Sequence, residues 1–278
     1  MSAVSMLDGK SCLITGANSG IGKETAQALA QMKANVVMVC RNKDKGEAAR
    51  REIEKKTGNA SIDLLLCDLS SLAEVRTLAA EVRNRYGKLN VLVNNAGLFS
   101  LSGRTKDGFE RTFAVDYLAP FILTNLLLEL LKSSAPSRIV NVSSVALFGG
   151  HVDLDAIEKG SLPSGWGAYS NSKLALAMFT YELARRLQGT GVTANCLHPG
   201  AVATNIWKIP PAVVRPFLKS AKEGAETSVY LASAPEVEGV TGRYFEKKSE
   251  KKSSEESYDE KKALALWDAT SKMVGLTG

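Results

Sequence analysis

Histidine and cysteine are scarce in this sequence, with two histidines and four cysteines among 278 residues. The cysteines lie in or beside apolar, strand-like runs, and no two of them have the Cys-x-x-Cys spacing of a metal or redox site. We therefore expect no bound metal and four free, buried thiols in a reducing compartment. These thiols belong to Cys12, Cys40, Cys67 and Cys196.

Long apolar runs are also missing. The longest, at 121–131, contains Thr124, Asn125 and Glu129, and a membrane span needs about 18 apolar residues. The residues before the first strand-like run show no basic-then-apolar signal pattern. We expect a soluble, cytoplasmic protein with no integral membrane segment, and peripheral association with a membrane stays open.

No block of charge of one sign is present, although 35 basic and 29 acidic side chains leave a net charge of +6. The densest charged run, 246–262, holds six lysines and six acidic residues, so it is neutral and typical of a solvated surface. The sequence thus does not favour nucleic acid as a partner. Part of the positive surplus is available to an anionic cofactor.

The remaining composition is that of a soluble globular protein, with 45% hydrophobic and 23% charged residues. No Pro/Gly/Ser-rich seam divides the chain, so we expect one domain over residues 1–278. Apolar strand-like runs alternate with longer helical patterns, which predicts an α/β fold with a doubly wound, parallel, seven-stranded sheet of order 3-2-1-4-5-6-7 and helices on both faces. The predicted strands are 10–15, 34–40, 62–67, 89–94, 138–143, 192–197 and 242–245.

Helical patterns cover most of the sequence between these strands. They lie at about 20–33, 43–57, 71–86, 107–132, 166–188, 220–233 and 259–274. Two segments, 149–165 and about 203–222, begin with sequence that fits neither a strand nor a helix pattern and is rich in glycine or proline. Because loops at the carboxyl end of a parallel sheet commonly carry ligand contacts, we expect these two segments to be substrate loops.

A glycine-rich turn follows the first predicted strand. Gly16 would allow a tight turn, Gly20 the close approach of a pyrophosphate, and Gly22 close packing of the next helix on the strand. The strand, turn and helix context favours dinucleotide binding, since the helix N-terminus attracts phosphate. A structural turn without a ligand is the alternative.

The choice between nicotinamide cofactors is expected at the end of the second strand, where an acidic residue would bind a ribose hydroxyl and a basic one a 2′-phosphate. Arg41 stands there, followed by Asn42, so NADP(H) is favoured over NAD(H). Arg41 as a solvated loop cation is the alternative. Asp68 and the run that begins at Asn95 follow the third and fourth strands, and each fits either a cofactor loop or an ordinary turn.

Tyr169 and Lys173 are four residues apart in a helical pattern and therefore share a helix face. A free tyrosine has a pKa of about 10, and a lysine charge at about 4 Å would stabilise the tyrosinate by roughly 4 kcal/mol. The pair is suited to general acid–base work on a carbonyl or an alcohol. The same spacing is common in exposed helices, so the pair alone would not establish a site.

The order of the motifs is more specific. The glycine turn, Asn94-Asn95-Ala96-Gly97, a strand that ends Asn141-Val142-Ser143-Ser144, and Tyr169 with Lys173 resemble the short-chain dehydrogenase/reductase family over nearly the whole chain. The run Cys40-Arg41-Asn42, the long gap from Ser144 to Tyr169, and the strand 242–245 with Trp267 after it are similar to the retinol-dehydrogenase-like branch.

The resemblance implies roles for particular residues. Tyr169 would be the acid/base, Lys173 its partner and a ligand of the nicotinamide ribose, and Ser144, with Ser143 as the alternative, would hydrogen-bond the substrate oxygen. The implied cofactor-binding residues are Gly16, Asn18, Ser19, Gly20, Ile21, Gly22, Arg41, Asn42, Asp68, Leu69, Asn95, Ala96, Gly97, Tyr169, Lys173, Pro199, Gly200, Val202 and Thr204. His198 and His151 are expected to pack in loops rather than to act in catalysis.

One residue departs from the family pattern, because Asp116 stands where an asparagine is usual. Aspartate keeps an acceptor but loses the amide donors. Its charge would favour a lysine ammonium and oppose a tyrosinate, so the net effect on Tyr169 stays open. We expect Asp116 to serve in a catalytic relay that still works.

The resulting hypothesis is an NADP(H)-dependent oxidoreductase that interconverts a hydrophobic aldehyde or ketone and its alcohol, without a metal. The alternative is an NADP(H)-binding sensor or scaffold with weak turnover because of Asp116. Helices near 107–132 and 166–188 carry broad apolar faces that form subunit interfaces in this family, so we expect a homodimer or homotetramer. One set of residues could line an apolar pocket or only pack the loops down: Phe99, Leu147, Phe148, Trp166, Ile206, Trp207 and Phe217.

Overall fold

A computed structural model describes residues 7–202 and 219–276 of the chain. Its centre is a sheet whose first seven strands are parallel and lie in the order β3-β2-β1-β4-β5-β6-β7, as the sequence predicts. The strands are β1 Ser11–Thr15, β2 Asn35–Cys40, β3 Ile62–Leu66, β4 Val91–Asn94, β5 Ser137–Val142, β6 Val192–His198, β7 Tyr244–Glu246 and β8 Ser249–Lys251.

The eighth strand, β8, is not in the sequence prediction, and it pairs antiparallel with β7. Lys247 and Lys248 form the two-residue turn between them, both with positive φ angles of 51° and 62°. Two-residue turns of this kind match the twist of a hairpin, even without glycine or asparagine. The charged run 246–262 therefore contains a strand and the start of a helix, and most of its side chains are exposed, as expected for a solvated surface.

Helices cover both faces of the sheet. They are α1 Gly20–Gln31, α2 Lys43–Thr57, α3 Leu72–Arg85, α4 Arg111–Phe113, α5 Ala119–Ser133, α6 Leu154–Glu158, α7 Trp166–Arg186, α8 Ala221–Ser233 and α9 Glu260–Met273. One apolar core joins the sheet to α3, α5, α7 and α9, and a second joins its other face to α1, α2 and α8. This is the doubly wound arrangement, with strands buried on both sides.

A single wider turn, Ala114–Leu118, connects α4 to α5 and has π-helical hydrogen bonding. Such turns insert an extra residue into a helix and are frequent at functional sites. The continuous helix Arg111–Ser133 is long and apolar enough to cross a membrane by length and composition, and 72% of its most apolar window is buried inside the fold. That burial is also what the core helix of a soluble protein shows.

The last helix, α9, packs over α5 and α7. The Trp267 ring lies 5.0 Å from that of Phe121 and 5.5 Å from that of Phe179, while the Arg186 guanidinium lies 4.2 Å above the Trp267 ring. Helix α9 thus covers part of the apolar surface of α5 and α7 that the sequence analysis assigned to a subunit interface.

The expected substrate loop at 149–165 contains a short helix, α6, that the sequence analysis did not predict. Asp153 caps it by accepting a hydrogen bond from the Ala156 N–H at 3.0 Å. Glu256, from the segment before α9, accepts the Val152 N–H at 2.9 Å and contacts the His151 ring at 3.1 Å. The loop is therefore held against the C-terminal segment. Most of the second expected loop, 203–218, lies outside the described residues.

Candidate active site

Ser144, Tyr169 and Lys173 meet at the carboxyl edge of the sheet. Ser144 follows β5, and the other two side chains lie one turn apart on α7, where all three residues are buried. The Ser144 hydroxyl is hydrogen-bonded to the Tyr169 side chain. The structure thus brings together the three residues that the sequence singled out for catalysis.

Ser143 and Ser144 point to different partners. The Ser143 hydroxyl donates to the Lys173 carbonyl oxygen at 2.9 Å, within the backbone of α7. Of the two serine hydroxyls, only that of Ser144 contacts the Tyr169 phenol. The geometry therefore favours Ser144 over Ser143 as the residue that contacts a substrate oxygen.

The Lys173 ammonium occupies a buried site between three elements. Its Nζ lies 3.0 Å from Asp116 Oδ2, donates to the Val142 carbonyl oxygen at 3.2 Å, and lies 5.5 Å from the centre of the Tyr169 ring. The side chains of Lys173 and Asp116 are 4% and 0% exposed. Lys173 is therefore anchored by a buried carboxylate, on the side of the site away from solvent.

Asp116 comes from the π-helical turn before α5, which turns its carboxyl group towards α7. Its second oxygen, Oδ1, accepts the Leu98 N–H at 2.8 Å. Gly97 lies against the pair, because a Cβ there would be 3.3 Å from Asp116 Oδ2 and 3.4 Å from Lys173 Nζ. Asp116 thus links the loop after β4 to the lysine of α7.

The pKa shifts follow from burial and from this ion pair. Burial raises the pKa of Asp116, and the Lys173 charge opposes that shift. Burial would lower the pKa of Lys173, but the Asp116 charge, the Tyr169 phenol and the hydrogen bond to Asp116 together outweigh it and the pKa is raised. Burial also raises the pKa of Tyr169; Lys173 and the Ser144 hydrogen bond lower it, and the Asp116 charge raises it. The stabilisation expected from Lys173 is therefore offset by burial and by the Asp116 charge, and the pKa of Tyr169 lies above its ordinary value.

A buried row of polar side chains holds the ends of the central strands in register. The Asn94 amide donates to Asn141 Oδ1 at 2.8 Å and to Thr124 Oγ1 at 3.0 Å. The Asn141 amide in turn donates to Thr180 Oγ1 at 2.9 Å. These bonds join β4, β5, α5 and α7 behind the catalytic cluster. The sequence shows Asn94 and Asn141 only as members of motifs, and their hydrogen-bond partners could not be predicted from it.

His198, at the end of β6, has a positioning contact that the sequence did not reveal. Its Nδ1 accepts the N–H of Val145 at 3.2 Å, directly after Ser144. Burial lowers the pKa of His198, which keeps the ring neutral and its nitrogen able to accept. His198 therefore supports the turn that carries Ser144, in agreement with the expectation that it packs rather than reacts.

The glycine turn has the close contacts that the sequence predicts. Gly16 and Gly20 have positive φ angles of 67° and 54°. A Cβ at Gly22 would lie 2.4 Å from the Gly16 carbonyl oxygen and 2.3 Å from Asn95 Nδ2. The Asn95 amide donates to the Thr15 carbonyl oxygen at 2.8 Å, and Thr15 Oγ1 accepts the N–H of Asn95 and that of Ala96, each at 3.0 Å. The loop after β4 is thus bonded directly to the glycine turn.

The N-terminus of α1 is suited to a phosphate group. Ser19 stands at its N-cap without a side-chain capping hydrogen bond, and the first turn holds no acidic residue. Asn18 is partly buried beside it. Because the first N–H groups of a helix lack intrahelical partners and carry a partial positive charge, an anion is stabilised there. The protein groups therefore fit a dinucleotide phosphate.

The expected ribose end is formed by residues after β2 and β3. Arg41 Nη1 lies 3.6 Å from Asp68 Oδ2, and both side chains are partly open to solvent. Asn42 caps α2 by accepting the Lys45 N–H at 2.9 Å, so its side chain is engaged within the protein. Leu69, after Asp68, is buried. Arg41 is therefore an exposed cation beside a carboxylate at the expected ribose end.

The residues after β6 pack against the glycine turn. Gly200 has a φ angle of 92°, and Pro199 beside it is partly buried. Val202 forms a small apolar cluster with Ile21 of α1 and Ala225 of α8. Two predicted cofactor segments are thus in contact, whereas Thr204 lies outside the described residues.

The predicted apolar pocket residues do not form one group. Phe99 and Trp166 lie 6.0 Å from the Tyr169 ring, centroid to centroid. Leu147 is fully buried in the core, which fits the alternative that it packs the loop down, and Phe148 is exposed. Ile206, Trp207 and Phe217 lie outside the described residues.

Within residues 7–202 and 219–276, no group of three or more His, Cys, Asp or Glu side chains is placed to hold a metal ion. The four cysteines are free and buried. A cavity of about 450 Å³ opens between α1 and α8, and none of the predicted site residues lines it.

The fold and the site together define an oxidoreductase that acts on CH–OH and C=O groups. The family model for short chain dehydrogenases matches residues 10–209, and the chain belongs to that family. Within it, the chain is similar to human retinol dehydrogenase 14, with 45% identity over 98% of this chain and 88% of that protein. It is 40% identical to human retinol dehydrogenase 13, over 97% of this chain and 86% of that protein. These relatives support the retinol-dehydrogenase-like branch.

Solved structures agree with the fold. An uncharacterized protein from Mycobacterium paratuberculosis superposes with a TM-score of 0.80 at 32% identity, covering 99% of this chain and 96% of its own. A short chain dehydrogenase from Escherichia coli CFT073, solved in complex with NADPH, has a TM-score of 0.72 at 25% identity, covering 88% of this chain and 99% of its own.

Proposed function

We propose that the protein is an NADP(H)-dependent oxidoreductase that interconverts a hydrophobic aldehyde or ketone and its alcohol, with Tyr169 as acid/base. The observation that carries the proposal is the buried cluster in which Tyr169 is hydrogen-bonded to Ser144 and lies beside the Lys173 ammonium. Residues 1–278 would form one catalytic domain. Homologues named retinol dehydrogenases support the substrate class.

In the reductive direction, Tyr169 donates its hydroxyl proton to the carbonyl oxygen of the substrate, and in oxidation it takes that proton from the alcohol. Ser144 donates a hydrogen bond to the same oxygen and stabilises the charge that develops there. Its existing contact with the phenol supports this role, because a substrate oxygen between the two hydroxyls can replace that contact.

Lys173 stabilises the anionic form of the phenol by its charge and holds the ribose of the cofactor. The bound nicotinamide supplies or accepts the hydride. Asp116 keeps Lys173 in the ammonium form, since its charge raises the pKa of that lysine. The same carboxylate opposes the tyrosinate, so Asp116 tunes the pH range in which Tyr169 works.

Cofactor preference for NADP(H) over NAD(H) is part of the proposal. Arg41 is exposed at the expected ribose end, and structures similar to this chain include complexes with NADPH and with NADP. The uncapped N-terminus of α1 and the Gly16–Gly22 contacts support dinucleotide binding at the opposite end. The proposed protein is soluble and cytoplasmic, with the apolar helix Arg111–Ser133 serving as a core helix. The homodimer or homotetramer stays a prediction.

The test is to measure NADPH binding and turnover in the parent and in Tyr169→Phe. The phenylalanine keeps the ring contacts and removes the proton, so we expect turnover to fall by about 10²- to 10⁴-fold with NADPH affinity within about twofold of the parent. Retinoids, steroids, fatty aldehydes and small quinones, each with NADPH and NADH, form the substrate panel. A variant that reduces carbonyls as fast as the parent would contradict the mechanism.

The second candidate function is an NADP(H) sensor with weak turnover, which the buried charge of Asp116 motivates. It predicts tight NADPH binding by the parent without oxidation of NADPH on any member of the panel. The same measurements therefore separate the enzyme from the sensor.

A further inference from the structure

We propose that Phe99 and Trp166 form an aromatic wall beside Tyr169 that selects carbonyl compounds with a bulky apolar group on the carbonyl carbon. This inference rests on the proposed function and assigns its specificity to two named side chains. The sequence grouped them with five other residues, and the structure separates them from that group by their contact with the phenol ring.

The three rings form a triangle. The Phe99 ring lies 6.0 Å from that of Tyr169 at an interplanar angle of 75°, and the Trp166 ring lies 6.0 Å from it at 42°. Phe99 and Trp166 are themselves 6.5 Å apart at 57°. Edge-on and tilted contacts at these distances are favourable for aromatic pairs, so the rings support one another's positions.

The groups around Tyr169 divide into a polar and an apolar set. Ser144 and Lys173 supply hydrogen-bond donors and charge, whereas Phe99 and Trp166 present mainly carbon surface. A substrate oxygen held by the Tyr169 and Ser144 hydroxyls leaves the rest of the substrate to meet the rings. A polar group there would lose hydration without gaining a partner, while an apolar group gains by burial.

Trp166 extends the wall outwards. It is the first residue of α7, set by Gly165 with a φ angle of 64°, and is 54% exposed. Leu101 is an exposed residue whose backbone lies near Gly165, since a Cβ on Gly165 would be 3.8 Å from the Leu101 carbonyl oxygen. Trp166, which contacts the Tyr169 ring and is more than half exposed, therefore carries apolar surface from the phenol towards solvent. A long apolar chain bound along it would bury surface that a short one leaves exposed.

The experiment compares decanal with propanal as substrates of the NADPH-dependent reaction. In Trp166→Ala and Phe99→Leu we expect the kcat/KM ratio of decanal to propanal to fall about fivefold to tenfold, through KM for decanal. Propanal presents less apolar surface to the two rings than decanal does, so its kcat/KM should fall less than that of decanal in both variants. Trp166→Phe, which keeps a ring, should restore most of the ratio.

Leu264→Ala is the matched control, because Leu264 is an exposed apolar residue of α9 with 45% exposure. This variant should leave the ratio unchanged. If the parent reduces both aldehydes and the two variants, Trp166→Ala and Phe99→Leu, keep its ratio of decanal to propanal, the aromatic wall is contradicted. The proposed function is not affected by that result. A parent that binds NADPH and reduces neither aldehyde would overturn the proposed function and this inference with it.

Discussion

Asp116 Oδ2 lies 3.0 Å from Lys173 Nζ, and both side chains are buried. The position carries a carboxyl group where the family resemblance leads one to expect a neutral amide. A lone buried charge is costly, so each member of this pair depends on the other for its stability. The pair also places the Asp116 charge close enough to oppose ionisation of Tyr169.

Replacement of Asp116 by asparagine should shift the pH dependence of catalysis. Removal of the carboxylate takes away a charge that raises the pKa of Tyr169, so the pKa of the phenol falls. Alcohol oxidation needs the tyrosinate, so its rise with pH should move towards lower pH. Carbonyl reduction needs the protonated phenol and should lose activity at lower pH than in the parent. The measurement is kcat/KM against pH in both directions.

Glu182→Gln is the control for that experiment, because Glu182 is a buried carboxylate of α7 that pairs with Arg185 and Arg186. It changes the net charge equally but lies about two and a half turns beyond Lys173 on the same helix. Its pH profile should match that of the parent. If Asp116→Asn changes neither the rate nor the pH profile, the relay role of Asp116 is wrong.

Arg41→Ala should weaken NADPH binding more than NADH binding. The substitution removes an exposed guanidinium at the expected 2′-phosphate end, and a charged hydrogen bond contributes about 1.5–3 kcal/mol, which is tenfold or more in affinity. NADH affinity should change by less than about threefold. Titration of each cofactor checks this, with Lys43→Ala as a control that removes a nearby cation. Equal losses for both cofactors would argue against Arg41 as the discriminating residue.

Gly22→Ala should destabilise the protein and disrupt dinucleotide binding. A Cβ at this position would lie 2.4 Å from the Gly16 carbonyl oxygen, so helix α1 must shift away from the turn. We expect the free energy of unfolding to fall by about 2–3 kcal/mol, the usual cost of overpacking. Urea denaturation measures it. Gly87→Ala, where a Cβ meets nothing within 4 Å, is the matched control and should be neutral.

Tyr117 and Thr270 should stabilise the docking of α9 through one buried hydrogen bond. Their hydroxyl groups are 2.8 Å apart, and both residues are fully buried. Tyr117→Phe and Thr270→Val should each lower the free energy of unfolding by about 1–2 kcal/mol. The double variant should be little worse than either one, because the second change removes a group already without its partner. Additive losses in urea denaturation would show that the two hydroxyls do not act together.

Much of the fold was predictable because it depends on local patterns. The seven parallel strands are short apolar runs buried on both faces, so their positions and order followed from alternation with helices. Strand β8 was missed because a run of lysine and glutamate has no apolar alternation. Its pairing depends on the Lys247–Lys248 turn and on the edge of β7, neither of which is encoded by periodicity.

The candidate site was predictable in its residues but not in its electrostatics. Motif order placed Ser144, Tyr169 and Lys173 together, and the structure has them in contact. The direction of the Tyr169 pKa shift depends on how deeply the ring is buried and on which oxygen of Asp116 faces Lys173. Both depend on the tertiary structure and cannot be read from the spacing of residues in the sequence. The support of the Ser144 turn by His198 likewise joins residues 53 positions apart, and no spacing rule reaches that far.

Helix α9 covers part of α5 and α7, and Glu256 holds the 149–165 loop. Both contacts have a consequence for biosynthesis. A chain that leaves the ribosome from its N-terminus presents the glycine turn early, with β1 and α1 already able to pair and pack. The apolar faces around Phe121 and Phe179 stay bare until Trp267 has emerged, well after the catalytic residues themselves. During that interval the nascent chain exposes apolar surface that favours aggregation and the binding of a chaperone.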